Sequence, residues 1–187
     1  YNFFYINKNK IKNYKKVSKY NEKYNKKFSD SIKHAKNAEV SPLLRLNKLL
    51  KSLEIKYENF NFLDIGSGQG IALHFVMRNY HFKNYYGVEF NEYLCDISKK
   101  NLAPLNKKFK IIHNDAKKFF LDNYRYIVYL YNPFDEIILN KFLENNLNLL
   151  KKNECIVIYQ NNFHTKDIKK LCKREVFIKE GLSVYYF

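Results

Sequence analysis

The sequence has few of the residues that mark several common classes of protein. Its three cysteines, Cys95, Cys155 and Cys172, are odd in number and widely spaced. This pattern argues against a disulfide framework and predicts reduced thiols in a cytoplasmic protein. The five histidines show no metal-ligand spacing, so no metal site is expected. No apolar run reaches the roughly 20 residues that a membrane-spanning helix needs, and the lysine-rich N-terminus does not resemble a signal peptide.

Acidic residues and arginine are also scarce. The chain has 18 acidic against 34 basic residues, a net charge of +16, and only four of the basic residues are arginine. Such a charge is compatible with nucleic-acid binding, but bidentate recognition of phosphates and bases prefers arginine to lysine. Lys, Asn, Ile, Tyr and Phe are abundant while Gly, Pro and Ala are rare, which is typical of an AT-rich genome. We therefore favour codon bias as the source of the charge, with nucleic-acid binding as the alternative.

Glycine is rare, yet three of the five glycines, Gly66, Gly68 and Gly70, stand at alternate positions. The apolar stretch Phe62–Ile65 before them predicts a buried strand, and a helical pattern follows them. Glycine has no Cβ and tolerates positive φ, so this turn, which includes Ser67, can approach a ligand closely. The amide-rich N-terminus of the following helix points at the same place. The stretch therefore predicts a nucleotide site at the carboxyl end of the first strand of an α/β sheet.

The spacing of the turn excludes two familiar phosphate-binding loops. A dinucleotide fold has the pattern Gly-x-Gly-x-x-Gly, whereas Ile71 and Leu73 occupy the positions that would need glycine. A Walker loop ends in Gly-Lys-Ser/Thr, whereas Gly70 is followed by Ile and Ala. Asp64, two residues before the turn, would repel a pyrophosphate but suits a cationic ligand.

A second acid follows at the end of the next predicted strand. Glu89 lies 23 positions after Gly66, where an acid in this type of fold accepts hydrogen bonds from ribose hydroxyls. The alternative is an exposed carboxylate at a strand end. Phe90, next to Glu89, is placed to lie against an adenine face.

Strand and helix patterns alternate along the rest of the chain and end in two β-patterned segments around Gly181. They predict an α/β, Rossmann-like fold with a mostly parallel seven-stranded sheet, a C-terminal antiparallel hairpin and helices on both faces. We predict that residues 1–40 form a lysine- and tyrosine-rich helical extension. This extension either packs on the domain, covers a substrate or binds nucleic acid. Residues 41–187 form the nucleotide-binding domain. The chain begins with Tyr1 rather than Met, which suggests a piece of a longer protein.

From about Phe62 to Tyr159 the chain resembles a group of small bacterial class I methyltransferases whose substrates are largely undefined. The motifs that carry the resemblance are Phe-Leu-Asp-Ile-Gly-Ser-Gly-Gln-Gly at 62–70, Tyr-Gly-Val-Glu at 86–89, Leu-Tyr-Asn-Pro-Phe at 130–134 and Ile-Tyr-Gln-Asn at 158–161. Gln69 replaces the usual lysine of the group, and Asn162 replaces a final proline. The resemblance implies S-adenosylmethionine as the cofactor.

The resemblance also implies roles for the polar residues at the strand ends. Asp64 and the glycine turn would hold the methionine part of the cofactor and Glu89 its ribose. Asp115, followed by Ala116, would hold the adenine amino group; the other interpretation of Asp115 is an N-cap for a helix predicted over 116–122.

Asn132-Pro133-Phe134 corresponds to the segment that lies near the transferred methyl group in such enzymes. Amino-group methyltransferases carry Asn/Asp-Pro-Pro-Phe/Tyr there, whereas this chain has a single proline before Phe134. The alternative is a simple turn, with Asn132 as a helix cap and Phe134 as an apolar plug. Candidates for a general base are His34, His164, and Tyr20 or Tyr24.

The predicted function is methyl transfer to an oxygen or nitrogen atom of a small molecule or a surface-glycan precursor. An RNA or protein acceptor, bound through the basic N-terminal helix, is the first alternative. A non-catalytic module that binds S-adenosylmethionine within a larger assembly is the second. The sequence leaves the oligomeric state open.

Overall fold

The computed structural model describes residues 43–131, 133–161, 164, 166–178 and 181–187. Several predictions fall outside this part of the chain: the N-terminal extension over residues 1–40, with Tyr20, Tyr24 and His34, the helix start at Ser41 and Pro42, and the role of Asn132.

Seven strands form one sheet in the order β3-β2-β1-β4-β5-β7-β6. Strands β1 to β5 are parallel, while β7 runs antiparallel to both of its neighbours. The predicted mostly parallel seven-stranded sheet with a closing hairpin is thus confirmed. The strand order reverses beside β1, and open α/β sheets bind ligands at the carboxyl ends of the strands at such a point. The strands are β1 (Asn61–Ile65), β2 (Asn84–Glu89), β3 (Phe109–His113), β4 (Tyr126–Tyr131), β5 (Ile156–Gln160), β6 (Arg174–Ile178) and β7 (Leu182–Tyr186).

Helices cover both faces of the sheet, as predicted. Apolar side chains of α1 and α2 pack with Phe62, Tyr129 and Ile158 on one face, which we call the α1–α2 face. Side chains of α4 and α5 pack with Leu63, Val128 and Val157 on the other, the α4–α5 face. The helices in the described part of the chain are α1 (Leu43–Ser52), α2 (Ile71–Asn79), α3 (Glu92–Leu102), α4 (Glu136–Lys152) and α5 (Lys166–Leu171). None of them could span a bilayer.

The helix predicted over residues 116–122 is wrong in length. Only the 3₁₀ turn Ala116–Lys118 forms, and Phe119 already has extended backbone. The segment that follows is held from outside by the buried side chain of Asn146 on α4. Asn146 Nδ2 donates to the Phe119 carbonyl at 2.9 Å, and Asn146 Oδ1 accepts from the Leu121 N–H at 2.7 Å. These tertiary hydrogen bonds replace the helical ones.

We expect Asn146→Ala to destabilise the fold by about 2–3 kcal/mol, because it leaves the buried N–H of Leu121 and the partly buried carbonyl of Phe119 without these partners. Urea-induced unfolding measures the change. The control is Asn145→Ala, which removes one half-buried hydrogen bond, from Asn145 Nδ2 to the Lys117 carbonyl at 2.8 Å. Equal losses for the two variants would show that Asn146 does not anchor this segment.

All three cysteines are free, and Cys95 and Cys155 are buried. Burial raises the pKa of Cys95 to about 12 and that of Cys155 to about 11. Both groups are therefore neutral thiols at physiological pH, and they serve as packing residues.

Candidate functional site

The glycine turn after β1 has an open tip. Gly66, Gly68 and Gly70 have φ values of 77°, 53° and 76°, a region that side chains rarely adopt. A Cβ at Gly66 would lie 2.3 Å from Pro133 Cβ, and one at Gly70 would lie 2.3 Å from Ser98 Oγ. A Cβ at Gly68 would meet no atom of a described residue within 4 Å. The outer two glycines therefore allow tight packing, while Gly68 presents its backbone to open space, where a ligand can approach.

Glu89, at the end of β2, holds the tip of this turn. Its Oε2 accepts a hydrogen bond from the Gly68 N–H at 2.8 Å, and its Oε1 accepts one from the Asn91 N–H at 2.9 Å. The side chain is only 4% exposed, so the alternative of an exposed strand-end carboxylate is wrong. Burial raises the pKa of Glu89, and the backbone N–H donors of Asn91 and Gly68 oppose that rise.

Asp64, the fourth residue of β1, is also buried, at 4% exposure. It pairs in register with Gly87, so alternation places its side chain on the same face of the sheet as Glu89, two positions further along β2. No hydrogen bond from another described residue reaches the Asp64 carboxyl group. Burial, and next the charge of Glu89, raise the pKa of Asp64 to about 8. A cationic ligand would supply the missing partner.

Asp115 brings a third buried carboxyl group to the same edge of the sheet. It lies just past the end of β3, and its Oδ1 accepts from the Lys117 N–H at 3.0 Å, so the predicted N-cap role is confirmed for the short 3₁₀ turn. Its Oδ2 lies 4.0 Å from Lys117 Nζ. Ala116 beside it is buried. Phe90, after Glu89, is half-buried, and its carbonyl is 2.9 Å from His113 Nε2.

The segment after β4 packs against the glycine turn through the contact between Pro133 and Gly66. Phe134 is buried among the side chains of the α4–α5 face, as expected for an apolar plug. The N-cap of α4 is Asp135, whose Oδ1 accepts from the N–H groups of residues 137 and 138. The cap of this helix is therefore supplied by Asp135, while Asn132 lies outside the described residues.

The structure separates His164 from the three carboxyl groups. The backbone of His164 hydrogen-bonds to the Tyr159 hydroxyl, and Tyr159 belongs to the α4–α5 face. Asp64 and Glu89 point to the opposite face. A role for His164 as a general base stays a prediction, and Tyr24 lies outside the described residues.

Gln160, at the end of β5, is a polar residue that the sequence analysis did not single out. It is fully buried, and its Oε1 accepts from the Tyr129 hydroxyl at 2.9 Å. Its Nε2 has no hydrogen-bond partner in the part of the chain that the structure describes. Strand alternation puts Asp64, Tyr129 and Gln160 on one face of three neighbouring strands. In the sequence, the apolar run that ends in Gln160 could have indicated that this polar side chain is buried. A buried, unused N–H donor at this edge can serve a ligand.

The model of the methyltransferase domain family matches residues 63–158, just over half of the 187 residues. The chain belongs to this family. It is an S-adenosylmethionine-dependent methyltransferase, and the matched range contains Asp64, the glycine turn, Glu89 and Asp115. Among curated proteins, no match to this sequence is found.

Solved structures of other methyltransferases share the fold. TrmK of M. capricolum, in complex with S-adenosylhomocysteine, is 19% identical with a TM-score of 0.57, over 80% of this chain and 68% of that one. The mitomycin 7-O-methyltransferase MmcR is 12% identical with a TM-score of 0.54, over 71% of this chain and 50% of that one. An S-adenosylmethionine-dependent methyltransferase from Leishmania major is 14% identical with a TM-score of 0.55, over 74% and 68%.

The residues of this methyltransferase fit a nucleoside that carries a positively charged amino-acid end. Gly68 leaves room for a ligand beside the backbone. Asp64 is a buried carboxyl group that lacks a hydrogen-bonding partner among the described residues, and Glu89 is a fixed acceptor two positions along the neighbouring strand. These are the groups that an ammonium and a ribose, respectively, would satisfy.

Proposed function

We propose that this methyltransferase transfers a methyl group to an oxygen or nitrogen atom of a small molecule or glycan precursor. One observation carries the cofactor part of the proposal: three buried carboxyl groups, Asp64, Glu89 and Asp115, stand at the carboxyl ends of adjacent strands around an open glycine. Parallel sheets bind nucleosides at this edge, beside the reversal of strand order.

Each carboxyl group has a separate role in the proposal. Glu89 accepts backbone hydrogen bonds from Gly68 on one oxygen and from Asn91 on the other, and a further one from Phe90. A carboxylate has about four acceptor positions, so it can still accept from the ribose. Asp64 pairs with the ammonium of the amino-acid end, with Ser67 and Gly68 along its length. Asp115 accepts from the adenine amino group through the oxygen that does not cap the 3₁₀ turn. Ala116 and Phe90 supply apolar contacts for the base.

The cofactor supplies the reactive sulfonium methyl group when bound, so the chain has to bind, align and shield. Asn132, Pro133 and Phe134 are proposed to border the place where the acceptor atom meets the methyl carbon. Pro133 contacts the glycine turn, and this contact fixes the distance between the turn and the segment that follows β4. Such alignment is worth several kcal/mol of the barrier, provided that the reacting atoms are held close to the line of attack.

The burial of Gln160 favours a small acceptor. Its free Nε2 donor lies in the interior of the protein, on the same face as Asp64, where an unmade hydrogen bond costs about 1–3 kcal/mol. An enclosed hydroxyl or carbonyl oxygen of a small molecule would satisfy it, and a large polymer would reach it less easily.

The test of the cofactor site is Glu89→Ala. We expect the affinity for S-adenosylhomocysteine to fall by roughly 1–3 kcal/mol, because two hydrogen bonds to a charged group are lost. Isothermal titration calorimetry measures the affinity. Glu92→Ala is the matched control, since Glu92 is an exposed acid in the first turn of α3. Unchanged affinity in Glu89→Ala would refute the ribose assignment.

RNA is the second candidate acceptor, and a surface groove of about 610 Å³ beside Asp115 favours it. Three lysines, Lys117, Lys118 and Lys141, line the groove together with Glu144. Lys141 is paired with Glu144 at 3.1 Å and Lys117 with Asp115 at 4.0 Å. The test is binding of bulk tRNA over a range of salt concentrations, since phosphate contacts weaken steeply as salt rises. Absence of tRNA binding at low salt, together with S-adenosylhomocysteine formation from a small-molecule fraction, would exclude RNA.

A further inference from the structure

We infer that cofactor binding expels one proton from the site: Asp64 is a neutral carboxylic acid in the empty site and a carboxylate when a cationic amino-acid end lies beside it. The O–H bond of the Asp64 carboxyl group breaks, the electron pair stays on the carboxylate, and the proton passes to the buffer. The inference rests on the proposed placement of the cofactor. It adds that Asp64 recognises the ligand by exchanging a proton for a cation.

The two carboxyl groups of the site are not equivalent. Both are 4% exposed and lie on the same face of neighbouring strands. Glu89 accepts backbone N–H hydrogen bonds from Asn91, Gly68 and Phe90, which stabilise its charged form. Asp64 accepts none from the described residues. Because two buried carboxylates close together cannot both ionise cheaply, the proton belongs on the group that lacks donors, which is Asp64.

Among the described residues near Asp64 on β4, β2 and α3, no other group is a better site for this proton. On β4, the register neighbour of Asp64 is Tyr129, an uncharged phenol that donates to Gln160. On β2, the facing positions are Gly87 and Glu89. On α3, Cys95 lies near Glu89 and stays a neutral thiol, because burial raises its pKa to about 12. Glu89 is the charged group whose field acts on Asp64.

The expected pH dependence follows from these charges. The pKa of Asp64 is raised to about 8 in the empty site, by burial first and by Glu89 second. An adjacent cation lowers the pKa of a carboxyl group by several units in a buried setting. Between these two pKa values, binding releases a proton, so affinity rises with pH, by up to about tenfold per unit. Above the pKa of the empty site the proton has already left Asp64, and the affinity falls again as the amino group of the ligand loses its own proton.

Calorimetry counts the proton directly. S-adenosylhomocysteine is titrated into the protein in phosphate and in Tris, whose ionisation enthalpies differ, at about pH 7 and about pH 9.5. We expect release of about one proton at the lower pH and proton uptake at the higher pH, where part of the free ligand has lost its ammonium proton. The comparison ligand is 5′-methylthioadenosine, which keeps the nucleoside but has no ammonium. We expect it to release no proton and to bind with the same affinity at both pH values.

Two variants identify the source of the proton. Asp64→Asn should bind S-adenosylhomocysteine more weakly and release no proton. Glu89→Gln removes the charge that raises the pKa of Asp64, so it should release a smaller fraction of a proton near neutral pH. In the intact protein, infrared difference spectra should show the carbonyl band of a protonated carboxylic acid disappearing on binding. This measurement serves even if a variant does not fold.

The outcomes separate this inference from the proposed function. Binding of S-adenosylhomocysteine with the same heat in both buffers would overturn the inference and leave the cofactor site intact. Undiminished proton release in Asp64→Asn would also overturn it, because another group would then be the source. Failure of the unmodified protein to bind S-adenosylhomocysteine at either pH would overturn the proposed site itself.

Discussion

Replacing Asp64 with Asn is expected to stabilise the cofactor-free protein at high pH while weakening its binding of S-adenosylhomocysteine. The pKa of Asp64 is about 8 in the folded protein, against an ordinary value of 3.8. The folded state therefore holds this proton more tightly than the unfolded chain does. Stability from this group is complete below about pH 4, falls as the pH rises, and is lost once the pH passes 8.

The size of the effect follows from the pKa difference. Each pKa unit corresponds to roughly 1.4 kcal/mol, so the penalty for ionising Asp64 reaches several kcal/mol, an upper bound because buried sites relax. Asn cannot ionise, and above pH 8 the variant avoids this penalty. At pH 4 or below, the two proteins should differ little.

Urea-induced unfolding at several pH values between 5 and 9, without cofactor, measures the difference. The control is Asp122→Asn, because Asp122 is exposed and its removal should not change the pH profile. Loss of stability in Asp64→Asn at every pH would contradict the expectation. It would mean that the Asp64 carboxylate makes a stabilising contact in the empty site.

Gly66→Ala is expected to destabilise the fold by roughly 2–5 kcal/mol. The backbone at Gly66 has a φ of 77°, which costs a residue with a Cβ about 1–2 kcal/mol. The new Cβ would also lie 2.3 Å from Pro133 Cβ, a clash with a rigid ring that only a backbone shift can relieve, and overpacking of this kind costs about 1–3 kcal/mol. Urea-induced unfolding measures the loss.

Gly68→Ala is the matched comparison, since Gly68 also has a positive φ but a Cβ there meets no atom within 4 Å. We expect it to cost about 1 kcal/mol of stability, from backbone strain alone. Its Cβ would occupy the space proposed for the cofactor, so affinity for S-adenosylhomocysteine should fall more than stability does. Equal destabilisation by the two substitutions would show that the contact with Pro133 relaxes freely.

Local patterns in the chain predicted the architecture and a nucleotide site, and the family resemblance implied the cofactor. Apolar alternation located the strands and helical periodicity located the helices, because each element must bury apolar side chains. The three alternating glycines and Glu89 predicted a nucleotide site, because the carboxyl ends of parallel strands meet at one edge. The predictions that failed concerned single side chains with distant partners. Asp135, which no prediction named, caps α4, and Asn146 ends the helical turn after Asp115.

The sequence by itself determined the order of strands and helices, the glycine turn and the family, because these depend on spacing along the chain. Only the tertiary structure decided that Glu89 is buried and holds Gly68. It also decided that, among the described residues, Asp64 has no hydrogen-bond donor and Gln160 Nε2 has no acceptor. Those properties depend on which groups meet across strands that are distant in sequence. Charge and hydrogen bonding at a buried site are set by such neighbours, and the linear pattern does not contain them.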